Sequence, residues 1–99
     1  MTQPRITVEI IGNGAPSVVH LSVNEEGLKI LLDELRALSR NSDHFHLFAP
    51  EWGVPDGPLS LKPYGDNAAT AGHLKVLFRP DDWDKKYYPH LFEENGSAE

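Results

Sequence analysis

One stripe of leucines constrains this chain more than any other feature. From Leu28, the apolar positions Leu31, Leu32, Leu35 and Leu38 recur at the three- and four-residue spacing of a single helix face. Asn24 ahead of them is a good N-cap, Glu25 and Glu26 stand at the positive end of the dipole, and Val23 is placed to staple onto Leu28. The run ends near Ser39 to Asn41, which gives roughly fifteen residues and about 22 Å of helix. A stripe of this kind has to be covered, with Ile30 and Ala37 left on the opposite side.

The rest of the chain offers strands to cover it. Arg5 to Ile11 alternates, with Ile6, Val8 and Ile10 on one face and Thr7 and Glu9 on the other. Gly12-Asn13-Gly14 tolerates positive φ, Pro16 marks the far edge of a turn, and Ser17 to Leu21 resumes with β-branched residues, so the two strands form a hairpin. After the helix, His44 to Phe48 and His73 to Phe78 alternate in the same way. The order is β-β-α-β-β, an α+β fold in which one helix packs on one face of a four- to five-stranded antiparallel sheet. The leucines then bury Ile6, Val8, Ile10, Phe45, Leu47, Leu74 and Val76, leaving an exposed face of Thr7, Glu9, His44, His46, His73 and Lys75.

Between the last two strands lie about two dozen residues with five prolines and glycines in the first half alone, a connection well above the usual length. Leu59-Ser60-Leu61 suits a short extra strand, and Asp66 to Gly72 reads as flexible. After Pro80, Asp81-Asp82-Trp83-Asp84 suggests a turn or short helix whose acids cap it, lacking the spacing of a calcium loop, and Trp83, Tyr87, Tyr88, Leu91 and Phe92 are able to pack. Residues 1–92 are expected to make one domain, and residues 93–99 a flexible acidic tail.

Composition narrows the function classes. The 99 residues contain no cysteine, which excludes a disulfide framework, a thiolate zinc site and a cysteine nucleophile. Fifteen acidic against nine basic residues give a net charge of -6, which repels phosphate backbones, so no nucleic-acid partner is expected and a basic protein suits better. No stretch has the apolar length of a membrane span or the core of a signal peptide, so the expected location is the cytoplasm. Neither a nucleophile elbow nor a phosphate-cradling loop is found, and no enzyme activity is expected.

The candidate site centres on Asp43-His44-Phe45-His46-Leu47-Phe48-Ala49-Pro50-Glu51-Trp52-Gly53. His44 and His46 stand about 6.6 Å apart on one strand face. His73 joins them if the last two strands pair, and three imidazoles are able to bind zinc when their nitrogens converge. That makes a small metal-binding enzyme or sensor the alternative function, although a lone His-x-His is common, Lys75 repels a cation, and a polar or partner-binding face is the plainer reading. Trp52 sits in a loop where small polar residues are usual; it serves either to cover a core edge or to anchor a partner. Glu51 and Asp56 would give such an anchor an acidic rim.

The same residues carry a resemblance. Asp43-His44-Phe45-His46-Leu47, Pro50-Glu51-Trp52-Gly53, Leu59-Ser60 and His73-Leu74-Lys75-Val76 together resemble the Immunity protein 32 family of bacterial polymorphic toxin systems. The pattern covers residues 43 to 80, and the first forty residues match in outline. It departs after the tryptophan, where a second glycine and an acidic residue are expected soon and this chain reads Val54-Pro55-Asp56-Gly57-Pro58 before Leu59, implying a rebuilt loop and a changed partner. The resemblance implies an immunity protein that binds and neutralises a cognate toxin, a basic nuclease being the type its acidity suits, with no cofactor and as a monomer or homodimer. The partner-binding residues expected on this reading are His44, His46, Glu51, Trp52, Gly53 and Asp56.

Overall fold

The computed structural model describes residues 3–12 and 18–93. Along the chain run β1 (Ile6–Ile11), β2 (Val18–Val23), α1 (Glu25–Arg36), β3 (His44–Phe48), β4 (Ala68–Thr70), β5 (His73–Leu77) and α2 (Asp81–Tyr87), with 3-10 turns at Pro50–Trp52 and Pro89–Phe92. The fold is α+β, as the alternating and leucine-striped stretches require. Among the described residues no helix is long and apolar enough to cross a membrane. Asn13, Gly14 and Pro16 of the expected turn, and the tail beyond Glu93, lie outside the described residues; Gly12 adopts a φ of 93°.

The strands form two sheets where one was expected. β1 pairs antiparallel with β2 from Ile6↔Val23 to Ile11↔Val18, and on its other side with β4 from Glu9↔Thr70 to Ile11↔Ala68. β3 and β5 make a separate antiparallel pair. Residues 58–60 run between the two sheets, where the Ile6 N–H donates to the Pro58 carbonyl (2.9 Å) and the Ser60 N–H to the Ile6 carbonyl (2.8 Å). On the other side the Leu59 N–H donates to the Phe48 carbonyl (3.1 Å). The extra strand expected at Leu59–Leu61 is therefore a single parallel bridge, Ile6↔Leu59, because Pro58 has no N–H to extend it backwards and the next acceptor forward, the Val8 carbonyl, takes the Ala71 N–H at 3.0 Å. Asp66 to Gly72, expected to be flexible, contributes β4 instead, whose small alanines lie opposite Ile10 and Ile11.

The core is small. Ile6, Val8, Phe45, Leu47, Ala49 and Leu59 are buried, and Val23, Ile30, Leu31, Leu38, Leu61, Leu74 and Val76 pack against them. Asn24 caps α1 as its sequence implies, its Oδ1 accepting from the Gly27 N–H and from the Arg5 N–H, both at 2.8 Å, while its amide donates to the Gln3 carbonyl. One side chain thus fixes the start of the helix to the start of β1. The face that α1 presents differs from the leucine stripe: Leu28, Leu32 and Leu35 are exposed, whereas Ile30, expected opposite, packs inward with Leu31 and Leu38. Gly27 supplies the reason. It is buried so close to β1 that an added Cβ would strike the Arg5 carbonyl and stand 2.9 Å from Ile6 Cγ1. The helix approaches the sheet where a side chain is missing, which turns part of the stripe outward.

Thr7 and Glu9, expected on the exposed face, are buried. The chain after Leu61 folds over Glu9, whose Oε2 accepts from the backbone N–H groups of Tyr64 (2.9 Å) and Gly65 (3.3 Å). Strand periodicity reads Glu9 as solvent-facing because it cannot see a loop returning from 55 residues away. Beyond β5, Arg40 grips Asp82 through two hydrogen bonds of 3.1 and 3.0 Å, and Arg79 lies over the Trp83 ring at 4.6 Å, fastening α2 to the body.

Gly27→Ala would stabilise an exposed helix by about 1 kcal/mol. Here the collision with β1 reverses the sign, and urea unfolding is expected to show a loss of about 1–3 kcal/mol, the usual cost of overpacking.

Candidate functional site

The β3–β5 pair is apolar on one side and open on the other. Its register, His44↔Leu77, His46↔Lys75 and Phe48↔His73, sets those six side chains on one face, while Phe45, Leu47, Leu74 and Val76 turn to the core. The alternation of both strands therefore places His44, His46, His73 and Lys75 on the open surface, as their spacing implies.

On that surface the rings form a continuous column. His44 meets His46 edge-on at 5.2 Å between centroids, His46 lies edge to edge with His73 at 4.9 Å, and His73 stacks on Phe48 at 4.5 Å with planes only 13° apart. Trp52 closes the column at 6.3 Å from His73. Its indole is 59 % exposed, so it does not seal a core edge. Pro50 opens the turn that carries it, the Gly53 N–H closes that turn on the Pro50 carbonyl at 3.0 Å, and Gly53 supplies the φ of 88° that ends it. The underside of the ring rests on Gly72, where an added Cβ would overlap the indole Nε1 and stand 2.5 Å from Cδ1.

Two polar pairings fix the imidazoles. His44 Nδ1 bonds Asp43 Oδ1 at 2.8 Å, an interaction that holds the Asp43 carboxyl below the usual carboxylate range. His46 Nδ1 and His73 Nε2 face each other at 2.7 Å, a distance that requires one N–H and one bare nitrogen. The His46 pKa is pushed below its ordinary value of 6.5, first by partial loss of water among its neighbours and then by the charges of His73, His44 and Lys75. With His44 turned to Asp43, the three imidazoles do not converge, and among the described residues no group of three or more His, Cys, Asp or Glu side chains is placed to hold a metal ion.

Glu51 and Asp56 turn to a different feature. Both line a surface groove of about 770 Å³ between the loop and the N-terminal segment, shared with Arg5 and Lys62, so the groove walls carry both signs of charge. Of the residues singled out from sequence, the fold brings together His44, His46 and Trp52, joined by His73. Gly72 was missed. Phe48 and Leu77 were legible from alternation, but nothing in the sequence pairs Gly72 with Trp52, since that contact needs the loop to close. Comparison of the chain with protein-family models, curated proteins and solved structures finds no match.

Two outcomes are expected. Gly72→Ala displaces the indole, read as a change in the Trp52 fluorescence emission with β structure retained by circular dichroism. In a nuclear magnetic resonance titration His46 ionises below pH 6.5, and His73→Ala moves it back toward that value. Because the folded pKa is the lower one, the His46 contribution to stability is present above the unfolded value and is lost as pH falls through the folded value.

Proposed function

We propose that this chain is a protein-binding module that acts as an immunity protein, sequestering a cognate bacterial toxin domain through the open face of β3–β5. The observation that carries the reading is the ring column ending in Trp52. A half-exposed indole held on a glycine shelf, beside paired imidazoles and Phe48, is a pre-formed aromatic anchor. Aromatic side chains fixed before binding lose little entropy on docking, and their faces accept apolar or cationic groups. The resemblance of residues 43–80 to the Immunity protein 32 family supplies the biological role, which chemistry of the face alone does not specify. A net charge of -6 favours a basic toxin such as a nuclease through faster encounter, and the reading calls on no cofactor and a cytoplasmic location.

A tagged copy expressed in the source bacterium is expected to capture one toxin-like protein, identified by mass spectrometry. Calorimetry with that partner is expected to show Trp52→Ala weakening binding by about thirtyfold or more, the effect of a hot spot worth about 2 kcal/mol, and His46→Ala by less. Unchanged affinity in both variants, with their folds intact, would remove the ring column from the contact.

A further inference from the structure

Residues 10 to 24 contain no Asp, Glu, Lys or Arg, the longest such run in a chain of net charge -6. In the fold this run supplies β2, the outer strand of the β2-β1-β4 sheet. Edge strands are usually guarded by a charge, a proline or a bulge that discourages pairing with another chain. β2 has none of these: Val18-Val19-His20-Leu21-Ser22-Val23 is uncharged, and its register with β1 is unbroken over all six residues. Its apolar side chains are also uncovered, Val18 at 53 %, Val19 at 62 % and Leu21 at 50 % exposed. Through the pairs Ile10↔Val19 and Val8↔Leu21, Ile10 shares the face of Val19 and Leu21, and it too is exposed.

We infer that β2 is a dimerisation strand that pairs antiparallel with β2 of a second copy of this chain. Charge selects the occupant. A basic partner gains nothing from an uncharged edge, whereas two molecules each carrying -6 approach at least cost where neither bears charge. Geometry agrees, because antiparallel pairing of one strand with itself about a two-fold axis is self-complementary. Centred on His20, it sets Val19 opposite the second copy's Leu21; centred on Leu21, it sets Val19 opposite Val23, and either register keeps apolar side chains on one face. The product is a six-stranded sheet, within the common size range, in place of two three-stranded ones. A strand alone falls short of the roughly 800 Å² per partner of a stable interface. Leu28, Leu32 and Leu35 of α1, which follows β2 after Asn24 alone, are exposed as well and offer further apolar area.

This surface is separate from the β3–β5 face and does not depend on the immunity reading. Light scattering across the micromolar range is expected to give twice the 11.1 kDa chain mass. The Val19→Lys and Leu21→Lys variants are expected to weaken self-association by about tenfold or more with unchanged circular dichroism. Since the chain has no cysteine, His20→Cys and Leu21→Cys report the two registers directly. One of them is expected to form a disulfide-linked dimer on mild oxidation, faster than a Lys62→Cys control, a readout that stands even where a lysine variant fails to fold. A monomer at every concentration, a dimer untouched by both lysines, or cross-linking no faster than the control would overturn the proposal.

Discussion

The fold depends on the backbone seam between its two sheets. Ile6 commits both its N–H and its carbonyl to residues 58 and 60, and the intervening Leu59 gives its own N–H to Phe48, so three residues of loop hold two sheets together. The side chains at this seam, Ile6 and Leu59, are among the most buried in the protein. Where the loop crosses, sheet-type hydrogen bonds satisfy backbone groups that would otherwise be stranded in the core. The long proline-rich connection is therefore part of the scaffold as well as the carrier of Trp52.

A seam of a few residues, at Leu59 and again at Ala71-Gly72, leaves much of the rest open. The core gathers between Ile6, Val8, Phe45 and Leu47, with α1 drawn onto it at Gly27. Burying a leucine fully is worth about 1.5–3 kcal/mol, and the partly exposed Leu28, Leu32 and Leu35 realise only part of that within the single chain. At the other end, the open face of β3–β5 is filled by rings that touch one another and pair polar edges, His46 with His73 and His44 with Asp43. The ladder of His44, His46, His73 and Phe48 is built from direct contacts between the rings, with no covering layer.

Alternation alone makes the hairpin, the two later strands and the polar face of His44, His46, His73 and Lys75 legible in the sequence. The Asn24 cap is legible too, because the chemistry of a helix start is local. The same rules misplace Thr7 and Glu9, the latter held by the loop at Tyr64 and Gly65, and they read β4 as a flexible stretch because Ala68 and Ala69 carry no strand signal of their own. Glu51 and Asp56 group with Trp52 by proximity in sequence, but the 3-10 turn at Pro50 and the bends after it carry them into the groove.

By itself the sequence determined the local elements, the period of each strand and the acidic, cysteine-free character of the molecule, since all of these follow from neighbouring residues and from sums over the chain. Only the tertiary structure decided which face α1 buries, that Trp52 rests on Gly72, and that His46 and His73 meet nitrogen to nitrogen across two strands. Each of those outcomes hangs on a contact between residues distant in the chain, at a closeness of approach that side-chain volume fixes and pattern does not record.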